Sequence, residues 1–386
     1  MHRILPAFTA LLVISLASLA QAQQIENSGG VFHRAVCAPA GAQAAHCMAH
    51  VVTDREGRVL SNLRAPVGGY GPADLRDAYK ITANGDSATV VAAVDAFGYD
   101  NAESDLGVYR AQFGLPTCTK SNGCFKKFNQ KGQQKKYPKQ DIGWAEESAL
   151  DLDMASAMCP NCQIWLVEAN TNSLKDLAAT VDTAASLGAH VIANSYGASG
   201  SVSKKLQSAW RHPGIAITAS SGDSGFGPQF PGSSPYVTAV GGTHLVRDGS
   251  DRGWAETGWS AGACTTFKKP KWQTDNGCAK RTVVDVAAVA DPATGVAVYG
   301  PNAQGNGTWL VFGGTSVGAP LIGGVYGANG GTVKYGSDPY AHPAALFDII
   351  SGPGGSCNPS YLCNAGPGYD GPTGMGTPNG TAAFGD

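Results

Sequence analysis

Charge is what this sequence has least of. Only 15% of its 386 residues are Asp, Glu, Lys or Arg, and the formal net charge is −2. Such a surface lacks the dense positive patch that nucleic acid or an anionic membrane demands, so neither partner is expected. The one lysine run (Lys126, Lys127, Lys131, Lys135, Lys136 and Lys139) reads as a solvated loop. Beyond residue 22 no stretch approaches the roughly eighteen apolar residues that a membrane-spanning helix requires. Only one C-x-x-C pair occurs (Cys159 and Cys162), and no second ligand pair accompanies it, which argues against a zinc site.

The N-terminus does have an apolar run. His2 and Arg3 precede "ILPAFTALLVISLASLA", and Ala20-Gln21-Ala22 follows. That is the layout of a secretion signal cleaved after Ala22, so residues 1–22 are expected to direct export, to the extracellular space or a periplasm. The ten cysteines agree. They fall into five near neighbours (Cys37/Cys47, Cys118/Cys124, Cys159/Cys162, Cys264/Cys278 and Cys357/Cys363) and read as local disulfides of an exported chain.

Residues 23–67 have no sustained helical or strand pattern and read as a short pro-segment or N-terminal extension. From residue 68 the pattern becomes regular. Apolar strand-like runs lie at 88–95, 163–169, 190–196, 214–220 and 236–240, and helical patterns at about 143–158, 173–187 and 203–211. This alternation predicts an α/β fold: a mostly parallel sheet with helices on both faces, stapled by local disulfides.

Two serines compete for the role of nucleophile. Ser224 lies in "SSGDSG", whose core resembles the nucleophile loop of trypsin-like proteases, and His46 in "AAHC" resembles that family's histidine motif. The α/β pattern opposes this reading, because trypsins are antiparallel barrels. His46 also precedes the first regular strand, and 162 residues follow Ser224. Ser316, in "GGTSVGAP", opens a buried helix. Backbone N–H groups and the helix dipole there favour developing negative charge. An ordinary serine N-cap has the same local signature.

"GTSVGAP" resembles the serine motif of the subtilisin-like clan, "VVAAVDAFG" its first strand and "GIAITASSGDSG" its oxyanion strand and loop. Yet none of the eight histidines sits in the helical motif that a subtilisin uses, and none is expected within reach of the GDSG loop. Where that helix should lie, "GWAEESALDLDMASAMCP" places Glu147 and Asp151 four residues apart, on one helical face. A solvated acidic face would look the same. E-x-x-L-D before "ASAMCP" resembles the acidic helix of the sedolisins, the serine-carboxyl peptidases, which keep the subtilisin fold and replace His by Glu. The resemblance runs from about Tyr70 to the C-terminus, through "FPGSSPYVTAVGGTHL", "ETGWSAGACTTFKKPKWQ" and "GPGYDGPTGMGTPNG".

That resemblance implies a secreted endopeptidase acting on protein or peptide substrates at acidic pH, as a monomer. Ser316 would be the nucleophile, with Glu147 and Asp151 completing the triad and Asp223 in the oxyanion hole. It also implies one structural Ca²⁺ bound by Asp348, Asp370 and the carbonyls of Ile349, Gly366 and Gly368. The alternatives are an inactive secreted binding protein on the same fold, or a subtilisin-type Ser-His-Asp protease. The chain departs from the family in its short N-terminal region, since residues 23–67 leave no room for a long folded pro-domain before the peptidase domain at 68–386.

Overall fold

Strands rich in Val and Ala, buried on both sides, need helices above and below them. The computed structural model describes residues 24–41, 43–223, 225–330, 333 and 336–385. The expected signal, residues 1–22, and Ser224 lie outside the described residues.

The first strands are β1 (Glu26–Ser28), β2 (Val31–Ala35), β3 (His46–Cys47), β4 (His50–Thr53), β5 (Val90–Ala96), β6 (Phe125–Asn129), β7 (Gln163–Ala169) and β8 (Val191–Asn194). They are followed by β9 (Tyr196–Gly197), β10 (Ala216–Ser220), β11 (Thr238–Arg247), β12 (Trp254–Gly258), β13 (Ala263–Cys264), β14 (Thr282–Val283), β15 (Val286–Val289), β16 (Val296–Pro301) and β17 (Gly307–Gly313). The central sheet has the order β12-β11-β10-β8-β5-β7-β6, with β15 also beside β11. It is parallel except where β12 returns along β11.

The helices are α1 (Pro72–Ala78), α2 (Ala102–Gln112), α3 (Ile142–Met158), α4 (Leu174–Ser186), α5 (Lys204–Gln207) and α6 (Thr315–Asn329). α3 starts where the Asp141 carboxylate accepts from Trp144 N at 3.1 Å, and from Trp144 to its end every residue is buried. A helix buried all round belongs to the interior. α3 and α6 pack on each other and over β5, β8 and β10, while α4 covers β5 and β7. A glycine permits the close crossing: a Cβ at Gly324 would lie 2.6 Å from the Met158 Cβ.

The expected α/β sheet, its helices and all five disulfide pairs are present. Among the described residues no helix is long and apolar enough to cross a membrane. Two expectations are corrected. The strand expected at 236–240 runs on to Arg247 as β11. The N-terminal region is not patternless: β1, β2 and β4 join β17 and β16 in a second, antiparallel sheet. Its strands are short and carry buried His33 and His50 among the apolar residues, so alternation alone does not reveal them.

Candidate active site

Ser316 is brought to its place by a turn. β17 ends at Gly313, and Gly314 takes φ 92°, ψ 162°. A side chain there would overlap the Met48 carbonyl oxygen and come within 2.7 Å of Asp223 Oδ2, so glycine is required. α6 then begins, with Ser316 fully buried in its first turn. The loop after β10 is tied to the same turn. Thr315 N and Oγ1 donate to Asp223 Oδ1 at 2.8 and 2.6 Å, and Ser220 Oγ donates to the Thr315 carbonyl at 3.0 Å. Asp223 Oδ2 has no hydrogen-bond partner among the described residues.

α3 carries Glu147 and Asp151 one turn apart, as their spacing predicts, and both are fully buried. β5 adds Asp95, also fully buried. Glu147 Oε2 accepts from Ala49 N at 3.0 Å. Glu147 Oε1 and both oxygens of Asp151 and of Asp95 lack a well-formed hydrogen bond among the described residues. Ionised together, three such carboxylates would be untenable, so they must share protons. Burial, then the Asp95 charge, pushes the Glu147 carboxyl well above the usual range, against the pull of the Ser316 hydroxyl and the Ala49 N–H. Burial, Asp95 and Glu147 do the same to Asp151. Burial pushes Asp95 up to about 7. It also takes Asp223 to about 7, against the two Thr315 donors. In this arrangement Ser316 Oγ donates to the Ser195 carbonyl at 3.0 Å. A hydroxyl proton turns about one bond, so the same group can be offered to Glu147.

Sequence reasoning missed two members of this neighbourhood. Asp95 was visible only as the carboxylate ending the first strand of the regular region. The expectation that no histidine lies near the GDSG loop is corrected: His50 Nε2 is 3.5 Å from Asp223 Oδ2. It stands on the oxyanion side, and α3, on the side of the base, carries no histidine. His46 pairs in β3 with β9 and lines a cavity with Gly225, Phe226 and Gly227, but the parallel sheet excludes a trypsin fold.

The glycine-rich C-terminal loop gathers Asp348 and Asp370. Gly368 N donates to Asp348 Oδ2 at 2.8 Å and Gly366 N to Asp370 Oδ2 at 2.9 Å. Burial lifts the Asp370 carboxyl to about 7, and the nearby Asp348 charge adds to the shift. Repelling carboxylates in a glycine-rich loop suit a hard, oxygen-seeking cation. A second group, Glu26, His33 and His50, offers ligand atoms within 4.8 Å of one another.

These shifts carry a stability prediction. Asp95, Asp223 and Glu146 have proton affinities raised to about 7, 7 and 8, each with burial as the main cause. Their contribution is complete below the unfolded carboxyl pKa near 4 and is lost as pH rises through 7 to 8. His33, lowered to about 4 by burial and His50, opposes this at the acid end: its contribution is present above about 6.5 and lost as pH falls toward 4. Three losses outweigh one gain above pH 4, so calorimetry is expected to find the highest Tm near pH 4 and a clear fall by pH 8. A Tm that climbs steadily from pH 4 to pH 8 would contradict this assignment.

No family model matches the chain. Kumamolisin from Bacillus sp. (strain MN-32) is 34% identical over 200 residues, covering 43% of this chain and 35% of that protein. Sedolisin from Pseudomonas sp. (strain 101) is 28% identical over 202 residues, 42% of this chain and 33% of that one. Human tripeptidyl-peptidase 1 is 30% identical over 206 residues, 43% and 36%. The matched stretch thus spans about a third of the length of these curated relatives. In structure, Pseudomonas sedolisin, a serine-carboxyl proteinase complexed with two molecules of pseudo-iodotyrostatin, superposes with a TM-score of 0.66 at 22% identity, covering 82% of this chain and 96% of that one.

Proposed function

We propose that this chain, which belongs to the sedolisin family and has a subtilisin-like fold, is a serine-carboxyl endopeptidase acting on protein or peptide substrates in acid. The observation that carries this reading is the buried carboxylate cluster of Glu147, Asp151 and Asp95 beside Ser316, in a place where a histidine base has no counterpart on α3.

In the proposed reaction Ser316 Oγ attacks the scissile carbonyl and Glu147 takes its proton. Asp151, protonated, donates to Glu147, so the cluster holds one negative charge rather than several. Asp223, protonated, donates from Oδ2 to the oxyanion of the tetrahedral intermediate; an ionised carboxylate has no proton to offer. Glu147 then returns its proton to the departing amine, and water, activated by the same carboxylate, hydrolyses the acyl-enzyme. The five disulfides suit an oxidising compartment, in keeping with residues 1–22 as an export signal and 68–386 as the peptidase domain.

Incubating the purified chain with a denatured protein from pH 3 to 8 tests this reading. Cleavage confined to the acid range supports it. Cleavage peaking at neutral pH would indicate a histidine enzyme, and no cleavage at any pH a binding protein.

Asp348, Asp370 and the carbonyls of Ile349, Gly366 and Gly368 would hold a Ca²⁺, which would screen the two carboxylates and fix the loop. A ligand bound only by the folded state raises Tm by mass action. Excess EGTA is expected to lower Tm by several degrees, and added Ca²⁺ to restore it. An unchanged Tm, with no calcium found by elemental analysis, would remove the site.

A further inference from the structure

Residues 45–49 cross the catalytic cleft in an extended, substrate-like register. β3 pairs antiparallel with β9, Cys47 opposite Tyr196 and His46 opposite Gly197. The next residue, Met48, shares its N–H between the Ser195 carbonyl at 3.2 Å and Ser316 Oγ at 3.1 Å. Its carbonyl carbon is two bonds away, and its carbonyl oxygen lies over Gly314 beside Asp223 Oδ2. Ala49 N donates to Glu147 Oε2 at 3.0 Å. The Met48–Ala49 peptide bond is thereby bracketed by all three groups that the proposed reaction needs: nucleophile, proton carrier and oxyanion donor.

The segment is also clamped on both sides of that bond. Upstream, the Cys37–Cys47 disulfide ties the residue before Met48 to the chain that leaves β2. Downstream, β4 pairs with β2 and with β17, the strand that leads into Ser316, through Val51 opposite Phe312 and His50 opposite Gly313. Val36, Cys37, Ala45, Cys47, Ala49 and Val51 belong to the same hydrophobic core as the central sheet.

We propose that residues 43–49, stiffened by the Cys37–Cys47 disulfide, form a built-in inhibitor whose Met48–Ala49 bond is cut by Ser316 and whose cut ends remain seated in the cleft. The proposal rests on the peptidase reading above. Ser316 Oγ bonds to the Met48 carbonyl carbon as its proton passes to Glu147. The bond from that carbon to Ala49 N breaks, and Glu147 delivers the proton to that nitrogen. One water then hydrolyses the ester, leaving a Met48 carboxyl and an Ala49 amine and regenerating Ser316. The Met48 end, stiffened by Cys37–Cys47, is retained by the pairing of β2 with β4 and of β3 with β9, and the Ala49 end by β4 and β17. Re-formation of the bond therefore takes place within one folded complex, and the cleft stays occupied. A tethered occupant lowers the fraction of enzyme open to other substrates and so their apparent affinity.

The test uses the full chain, Ser316→Ala, and a Cys37→Ser/Cys47→Ser double variant, each held at pH 3–6. Intact-mass measurement under denaturing conditions is expected to find a fragment ending at Met48 and another beginning at Ala49 in the wild type and not in Ser316→Ala. Both fragments should co-elute on native gel filtration. The double variant should cleave an added peptide about tenfold faster than wild type, or more. The mass measurement on wild type stands even if the double variant does not fold. Wild type and double variant cleaving the peptide at one rate, with no Met48 end detected, would overturn the inference and leave the peptidase reading intact. No cleavage by any form, of itself or of the peptide, would overturn both.

Discussion

Ser316→Ala is expected to lower kcat by about 10⁶-fold, and Glu147→Gln by nearly as much, while Ser224→Ala keeps most of the activity. The size follows from how such groups act: nucleophile and base work as one unit, so removing either costs about as much as removing both. Ser316 is fully buried at the N-terminus of α6, where the α6 dipole favours the developing charge. Glu147→Gln keeps the shape and the acceptor for Ala49 N but cannot take a proton. Calorimetry separates lost chemistry from lost folding, since a folded variant keeps its cooperative thermal transition. Full activity in Ser316→Ala with loss in Ser224→Ala would return the chemistry to the GDSG loop.

Asp223 carries the second large effect. Asp223→Ala is expected to cost about 10²–10³ in kcat at every pH, the usual loss for one oxyanion donor. The more informative variant is Asp223→Asn. In wild type the donor exists only while Oδ2 holds a proton, and burial keeps that proton bound up to about pH 7. An amide donates at every pH. The alkaline limb of Asp223→Asn should therefore fall less steeply than that of wild type, with a lower peak because Thr315 N and Oγ1 both donate to Asp223 Oδ1 and the amide can satisfy them only in one flip state. Alkaline limbs that superimpose would show that Asp223 does not act through its proton.

Much of this site was legible in the sequence because local rules set it. The spacing of Glu147 and Asp151 places them on one face of any helix, and Asp141 as N-cap with the alanine- and leucine-rich segment after it makes that helix. Gly314 before Ser316 marks the tight turn. The five disulfides join neighbours in the chain, so proximity sufficed to pair them. What escaped depends on long-range packing. Asp95 is fifty-two residues from Glu147 in the chain and reaches it only because α3 lies across β5. His50 meets Asp223 because β4 borrows β17 as its partner. Strands as short as β2 and β4 earn their conformation from that pairing, and no local pattern announces it.

The central claim is that a carboxylate, not an imidazole, accepts the serine proton. The most direct measurement is kcat/KM against pH, from 3 to 8, on the Cys37→Ser/Cys47→Ser variant or on wild type with a peptide substrate. Its limbs report the ionisations of the free enzyme. A carboxylate base with a protonated Asp223 predicts a maximum in acid and a fall as pH rises toward 7 and beyond. A rate that instead climbs through pH 6–7 to a neutral plateau, as deprotonation of a histidine base would give, contradicts the account.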